Sequence, residues 1–235
     1  MFGFFAKKES GRDILERRKR ECIVRAGPWT IHNIALGHGV TTMGIERNES
    51  NVTLERCMEA LERRLRRAWH DVRALDIACL EGMYSIAMGE KGASVLGIEQ
   101  SDLHLQRANF VKETLFLPNV AFMREDARNI CLDKHGRFAI VLMHGILEQI
   151  ETKDMSSFLK SVARVCSDML YVDMRTELTP DRENMPWTSR ENPKSLKLSL
   201  PSLKKILTHV GFTTIEERPS IEEQPTDRRF LIARK

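Results

Sequence analysis

The chain has 235 residues, of which 42% are hydrophobic and 30% are charged, and its formal net charge is +4. This composition is close to that of average globular domains, and it excludes a disordered chain, a collagen-like repeat and a small disulfide-stapled fold. Residues 1–70 carry 14 basic and 9 acidic side chains, whereas residues 71–235 carry 23 and 24. Any basic partner-binding surface is therefore expected near the N-terminus.

The cysteines are widely spaced and include no C-x-x-C pair. They are Cys22, Cys57, Cys79, Cys131 and Cys166. We therefore expect reduced thiols in a cytoplasmic protein and no metal site. No stretch approaches the roughly 20 apolar residues of a membrane-spanning helix, so we expect no membrane partner. The Phe-rich residues 1–5 precede the positive charges, which is the wrong order for a secretion signal.

The N-terminal region is predicted to be a helical extension that caps the rest of the chain. A surface helix is expected over residues 10–24, with the basic run 17–20 facing water rather than nucleic acid. Residues 27–44 predict a loop or an irregular strand pair. Apolar residues spaced by three or four predict a second helix over residues 53–69.

From residue 72 onward, short apolar runs alternate with longer amphipathic stretches, which is typical of an α/β domain. The runs are mostly unbroken, as expected for parallel strands covered on both faces. The predicted strands are 72–78, 94–99, 120–124, 138–144 and 169–173, and the predicted helices are 84–91, 102–115 and 153–166.

The C-terminal part follows a different pattern. A long polar stretch over residues 175–197 predicts a functional lid or a flexible insertion. A helix over residues 202–210 then leads to strands at 212–216 and 229–233, which are compatible with a hairpin. We expect an extension and cap at residues 1–70 and a ligand-binding domain at residues 71–235.

The most informative stretch, residues 74–85, is an apolar strand that contains Asp76, followed by a small-residue turn and the start of a helix. A small-residue turn at the carboxyl end of a parallel strand lets a ligand approach the backbone. Glu99 ends the next strand, close to the spacing of about 20 residues that is typical of an acid bound to ribose hydroxyls. Glu81 within the turn would repel a pyrophosphate, which favours a neutral or cationic nucleoside.

From about residue 70 the chain resembles the class I S-adenosylmethionine-dependent methyltransferases. The positions that carry the resemblance are Asp76 with the turn up to Gly82, Glu99, Asp126-Ala127 and His144-Gly145. The resemblance implies an α/β, Rossmann-like doubly wound fold, whose mostly parallel seven-stranded sheet contains one antiparallel strand. It also implies S-adenosyl-L-methionine as the cofactor.

The resemblance further implies that Glu99 binds both ribose hydroxyls, that Asp126 and the Ala127 backbone bind the adenine, and that the turn binds the methionine part. The cofactor-binding residues implied in this way are Asp76, Ala78, Cys79, Leu80, Gly82, Glu99, Gln100, Asp126, Ala127 and His144. Two departures concern the turn, where the family has glycines and this chain has Ala78 and Leu80.

Two further segments look like those of particular subgroups. Residues 26–33 with Thr41-Thr42 look like the opening segment of the tRNA wobble-uridine methyltransferases, where it folds over the cofactor. That subgroup has a Tyr-His pair where this chain has Glu148-Gln149. The late stretch with Trp187, Asn192-Pro193 and Ser202 looks like that of small-molecule methyltransferases.

Methyl transfer depends mainly on positioning, and a hydroxyl acceptor additionally profits from a base. Our candidates for the base are His144 first, then His32 and Glu148. A strand-end histidine bonded to backbone and a loop histidine that holds its own turn are the alternatives for His144 and His32. Cys79 is interpreted as a small filler, because no base is placed beside it.

Three functions remain open from the sequence. The first is a methyltransferase that acts on a small molecule or a sugar-type hydroxyl, with residues 1–70 over the cleft. The second is an RNA-modifying methyltransferase, whose N-terminal basic residues would contact phosphates. The third is a nucleoside-binding module without activity, suggested by Ala78 and Leu80. The oligomeric state and the methyl acceptor cannot be derived from the sequence.

Overall fold

The computed structural model describes residues 9–175, 199–218 and 228–235. The predicted segment 175–197, with Trp187 and Asn192-Pro193, lies almost wholly outside these residues. The helices are α1 Gly11–Ala26, α2 Glu49–Glu62, α3 Met83–Glu90, α4 Asp102–Thr114, α5 Leu132–His135, α6 Thr152–Val165 and α7 Leu200–His209. The strands are β1 Ala35–Gly37, β2 Val40–Thr41, β3 Arg73–Ile77, β4 Ser94–Glu99, β5 Val120–Arg124, β6 Phe138–His144, β7 Cys166–Arg175, β8 Thr214–Arg218 and β9 Arg228–Arg234.

The main sheet has seven strands in the order β5-β4-β3-β6-β7-β9-β8. Strands β3 to β7 pair in parallel, whereas β9 runs antiparallel to both of its neighbours, β7 and β8. The predicted Rossmann-like sheet with one antiparallel strand is confirmed. The order reverses direction at β3, with β4 on one side and β6 on the other, and ligands of such folds bind at this switch point.

Both faces of the sheet are covered, as the unbroken apolar strands predict. On one face, α1, α2, α3 and α4 share a core with β3, β4 and β7, and this core includes Leu15, Trp29 and Phe110. On the other face, α6 and α7 pack on the sheet and form a second core, to which they contribute Phe158, Leu159 and Leu203. The N-terminal extension is therefore packed into the sheet's own core. The boundary between residues 70 and 71 stays a prediction.

The second helix differs from its predicted bounds of 53–69. It begins at Glu49, because Asn48 forms a reciprocal capping box with Asn51, and it ends at Glu62. The chain then leaves the helix through a bend and a short 3₁₀ turn at Trp69–Asp71 before β3 begins. The guanidinium of Arg64 pairs with Glu216 of β8, so this bend is fixed by a contact that the helical periodicity does not reveal.

The sequence analysis predicts that the basic run 17–20 faces water, but one of its residues does not. Lys19 is buried, and its Nζ donates to the Thr41 carbonyl at 3.1 Å and lies 3.0 Å from Glu16 Oε2. Arg17 is exposed and pairs with Glu9 and Glu21. The irregular strand pair predicted within residues 27–44 is present as β1 and β2. No helix within the described part of the chain is long and apolar enough to cross a membrane.

Candidate functional site

The site lies at the carboxyl ends of the central strands, on both sides of the switch point. Glu99 is the last residue of β4, His144 is the last residue of β6, and Asp173 is paired with His144 near the end of β7. The turn after β3 lies between these groups. The sequence therefore brings several polar side chains to one edge of an otherwise apolar sheet.

The turn of residues 78–82 adopts left-handed backbone at three alternate positions. The φ angles are 58° at Ala78, 49° at Leu80 and 84° at Gly82. Left-handed backbone is costly for residues with a Cβ, so Ala78 and Leu80 are strained. At Gly82, a Cβ would lie 2.7 Å from Cζ of Phe122, so glycine is also required there for packing. The turn thus has left-handed backbone at two positions where this chain carries a side chain.

Glu99 lies beside this turn and is 7% exposed. Its Oε1 accepts backbone N–H groups of Gln100 at 3.0 Å and Ser101 at 2.9 Å, and its Oε2 accepts the Leu80 N–H at 3.1 Å. Burial opposes ionisation, but the neighbouring His104 imidazole and the backbone donors lower the pKa of Glu99 below its usual value. Glu99 is therefore a fixed, charged acceptor at the end of β4.

His104 on α4 is a site residue that the sequence analysis missed. Its buried Nδ1 lies 3.6 Å from Oε1 of Glu99, too far for a hydrogen bond, and has no hydrogen-bond partner among the described residues. A buried polar atom without a partner is costly. Its position as the third residue of α4 carries no sequence signal for this contact.

Asp126 lies at the next strand end, half-buried, and begins the 3₁₀ turn Ala127–Asn129. Its carboxylate accepts hydrogen bonds from the Arg128 side chain and backbone, and the Arg128 side chain is the main cause of the lowered pKa of Asp126. The Gln100 side chain, just after β4, is a further and smaller cause of the lowered pKa of Asp126. Ala127 is buried beside them.

Asp76 lies within β3 and is 1% exposed. Its Oδ2 accepts a hydrogen bond from the Ser85 hydroxyl at 2.7 Å. Burial raises the pKa of Asp76 to about 6, and the Ser85 hydrogen bond offsets only part of this shift. Burial likewise raises the pKa of the Cys79 thiol well above its usual value, so Cys79 is held as a neutral thiol.

His144 is held between an acid and a phenol. Its Nδ1 lies 2.8 Å from Oδ2 of Asp173, and its Nε2 lies 3.3 Å from the Tyr84 hydroxyl. The His144 side chain is 16% exposed, whereas that of Asp173 is wholly buried. A carboxylate on Nδ1 selects the tautomer that carries its proton there, which leaves the lone pair on Nε2.

Sequence reasoning missed both partners of His144, although each carried a signal. Asp173 ends a predicted strand in the same way as Glu99, and Tyr84 opens the helix that follows the turn. The rings of Tyr84 and His144 lie 4.7 Å apart between centroids. The acid that ends the predicted strand 169–173 was therefore available to the prediction.

His32 is buried in the N-terminal segment and takes a different position from His144. Its Nδ1 accepts the backbone N–H of Met83 at 3.4 Å, so it caps the start of α3. Burial, followed by the charges of His144 and His104, lowers the pKa of His32 to about 3. Glu148 is half-buried in the 3₁₀ turn Leu147–Gln149 after β6.

Glu81 does not face the ligand side of the turn, so the prediction that it would repel a pyrophosphate is wrong. Its carboxylate is wholly buried and forms an ion pair with Arg107 of α4. It also accepts backbone N–H groups of Thr30 at 3.0 Å and His32 at 2.9 Å. The charge is thus neutralised inside the protein and connects the turn to the N-terminal segment.

A metal site would need at least three suitable side chains in reach of one ion. Within residues 9–175, 199–218 and 228–235, no group of three or more His, Cys, Asp or Glu side chains is arranged to hold a metal.

Comparisons with known proteins agree with this fold. Residues 74–168 match the family described as a methyltransferase domain. No curated protein matches the sequence. The N-terminal domain of EvdMO1, crystallised in the presence of SAH and D-fucose, is 23% identical with a TM-score of 0.70, and the match covers 97% of this chain and 99% of that domain.

Two further structures extend the comparison. The match to the longer EvdMO1 chain covers 99% of this chain but 49% of the other, so this chain spans about half of it, with 23% identity and a TM-score of 0.66. Magnesium protoporphyrin IX methyltransferase (ChlM) from Synechocystis PCC 6803, with bound SAM, is 17% identical with a TM-score of 0.61, over 82% of this chain and 86% of that chain. At these identities the likeness shows a shared fold.

Proposed function

We propose that this chain, a class I S-adenosylmethionine-dependent methyltransferase, methylates a hydroxyl group of a small, sugar-type molecule. The observation that carries this proposal is the pair of His144 and Asp173 at the site edge. An alcohol is a poor nucleophile until its proton is removed, whereas many other methyl acceptors need no base. D-fucose, present with SAH in the EvdMO1 structure, is a molecule of the same class.

The residues at the edge fit the adenosyl cofactor. A ribose presents two hydroxyls, and Glu99 offers a buried, ionised carboxylate whose Oε2 accepts only the Leu80 N–H among the described residues. Nδ1 of His104 has no hydrogen-bond partner among the described residues and lies beside the same carboxylate. A ribose hydroxyl bound at Glu99 would supply a polar group next to this nitrogen. The acidic strand ends also suit a cation.

We assign the cofactor contacts residue by residue. Glu99 would bind the ribose hydroxyls, and Asp126 with the Ala127 backbone would bind the adenine, next to Gln100. The residues around the methionine part would be Asp76, Ala78, Cys79, Leu80, Gly82 and His144. When bound, S-adenosylmethionine supplies the electrophilic methyl group of its sulfonium.

His144 is proposed as the base. The acceptor's O–H proton moves to Nε2 of His144, whose lone pair now points at the Tyr84 hydroxyl 3.3 Å away. The resulting imidazolium is stabilised by the buried Asp173 carboxylate at its other nitrogen. His32 is not favoured as the base, because its Nδ1 is used by Met83. Glu148 stays a candidate behind His144.

The reducing cytoplasm is the proposed compartment, because all five cysteines are free and four of them are buried. A small-molecule acceptor needs no large basic surface. Arg17 is already paired with glutamates and Lys19 is buried, so the N-terminal basic run offers little toward RNA.

The experiment combines calorimetry with a methyl-transfer assay. The wild-type protein is titrated with SAH and then incubated with S-adenosylmethionine and a set of monosaccharides and phenols, beginning with D-fucose, with products detected by mass. We expect SAH binding and an O-methylated product. His144→Gln should lower the rate by about 10²-fold or more, a much larger factor than its loss of SAH affinity, whereas the exposed His70→Gln should change neither quantity. A rate independent of His144, or methylation of nitrogen or carbon alone, would contradict the proposal.

A further inference from the structure

Glu81 lies inside the turn, but its carboxylate points inward and is surrounded by groups from two other segments of the chain. Arg107 comes from α4, and the backbone donors Thr30 and His32 come from the N-terminal segment. We propose that Glu81 is a positioning residue, which holds the strained turn of residues 78–82 in its cofactor-binding shape by fastening it to residues 28–32. This inference rests on the proposed cofactor site.

The first argument is that the turn does not hold itself. Ala78 and Leu80 both have left-handed backbone, which residues with a Cβ adopt only when their surroundings enforce it. Glycine at these positions would adopt the same φ angles without this steric cost. Glu81 lies between the left-handed residues Leu80 and Gly82, so fixing its side chain fixes the backbone on both sides of it.

The second argument is the cost of placing this carboxylate where it is. The Glu81 side chain is wholly buried and that of Arg107 is 8% exposed. Buried charges are tolerated only when they are paired and fully hydrogen-bonded. Glu81 meets this requirement through Arg107 and the N–H groups of Thr30 and His32. Removal of any one of these groups would leave a buried polar partner without its hydrogen bond.

The third argument is that the same two segments are joined at further points. Nδ1 of His32 accepts the Met83 N–H, one residue beyond Gly82. The guanidinium of Arg107 also donates to the Pro28 carbonyl at 2.8 Å. Trp29 between them is buried against Phe110, with ring centroids 5.5 Å apart. The N-terminal segment is thus also connected to the start of α3, directly after the turn, and to α4, which carries Arg107.

These contacts couple the position of residues 28–32 to the conformation of the cofactor turn. Residues 28–32 and the cofactor turn share the Glu81 carboxylate, so a change that frees the carboxylate relaxes the turn and weakens cofactor binding. Replacing Ala78 and Leu80 by glycine removes the strain that the carboxylate has to resist. The two kinds of substitution should therefore compensate each other.

The test measures SAH affinity by calorimetry in four variants. Glu81→Gln should weaken SAH binding by about tenfold or more. The triple variant, which carries Glu81→Gln together with Ala78→Gly and Leu80→Gly, should regain at least about half of the lost SAH affinity on a logarithmic scale. Asp168→Asn is the matched control. Asp168 lies in the first half of β7, away from the site, and forms an ion pair with Arg234. Loss of this ion pair should lower the melting temperature and leave SAH affinity unchanged.

A folding failure would not hide the answer. Glu81→Asp keeps the charge beside Arg107 but is one methylene too short to reach Arg107 and the three backbone donors Thr30, Ile31 and His32 together, so it should fold and still bind SAH more weakly. Amide hydrogen exchange at Thr30 and His32 gives a second readout, in which SAH should slow exchange in the wild type and not in Glu81→Gln. Unchanged SAH affinity in folded Glu81 variants, or no recovery with the glycines, would overturn the inference. Wild-type protein that does not bind SAH would instead overturn the proposed function.

Discussion

Nδ1 of His144 lies 2.8 Å from Oδ2 of Asp173, although 29 residues separate them in the chain. Their strands β6 and β7 are neighbours in register, so the pairing follows from the sheet itself. One partner reaches the edge of the cleft and the other is wholly buried. This arrangement fixes the orientation of the imidazole before any substrate binds.

Asp173→Asn should therefore impair catalysis more than binding. Asparagine cannot stabilise the imidazolium and favours the wrong tautomer, so we expect kcat to fall by about 10²- to 10⁴-fold. SAH affinity should stay within about twofold, since Asp173 is not assigned to the cofactor. Steady-state kinetics with calorimetry measures both, and exposed Asp71→Asn is the control. A parallel loss of SAH affinity would instead assign Asp173 to cofactor binding.

Asp76 should make the free energy of unfolding fall as the pH rises from about 4 to about 6, which is the opposite of the usual effect of a carboxylate. Its pKa is raised from 3.8 to about 6 in the folded protein, so the folded state holds this proton longer than the unfolded chain. The burial penalty is absent below about pH 4 and complete above about pH 6, where it reaches about 3 kcal/mol at most.

Asp76→Asn removes this penalty while keeping an acceptor for Ser85. The free energy of unfolding of the variant should exceed that of the wild type at about pH 8, and the difference should shrink at about pH 4.5. Urea unfolding without ligand at the two pH values measures this. An equal difference at both values would show that Asp76 titrates normally in the fold.

Glu99→Ala should weaken SAH binding by about 1 to 3 kcal/mol, because buried ribose hydroxyls would lose their acceptor. The Leu80, Gln100 and Ser101 N–H groups would lose theirs as well. Calorimetry measures the change, with the exposed Asp102→Asn as the control variant. An affinity within about twofold of the wild type would place the nucleoside elsewhere.

Ala78→Gly should stabilise the protein, although glycine normally destabilises regular structure. Relief of the left-handed backbone at Ala78 should exceed the added freedom of the unfolded chain, with a net gain of up to about 1 kcal/mol. Ala121→Gly in the extended strand β5 should lose about 0.5 to 1 kcal/mol. Urea unfolding compares the two, and equal losses would show that Ala78 carries no strain.

The N-terminal region shows where sequence patterns stop being informative. The helix predicted over residues 53–69 ends at Glu62, because the bend after it is fixed by Arg64 contacting Glu216, 152 residues away. Lys19 was assigned to a solvated face by its charge, but the packing of α1 on the strand pair buries it against Thr41. Neither contact has a local cause.

The sequence by itself determined the strands at 94–99, 120–124 and 138–144, the α/β class and the acids at the strand ends. It could do so because buried parallel strands are unbroken apolar runs and their ends share one edge. Only the tertiary structure decided that Asp173 orients His144, that His32 caps α3, and that Glu81 turns inward to Arg107 and Thr30. These roles depend on which distant side chains and backbone groups a buried polar atom meets, and local periodicity contains no information about that.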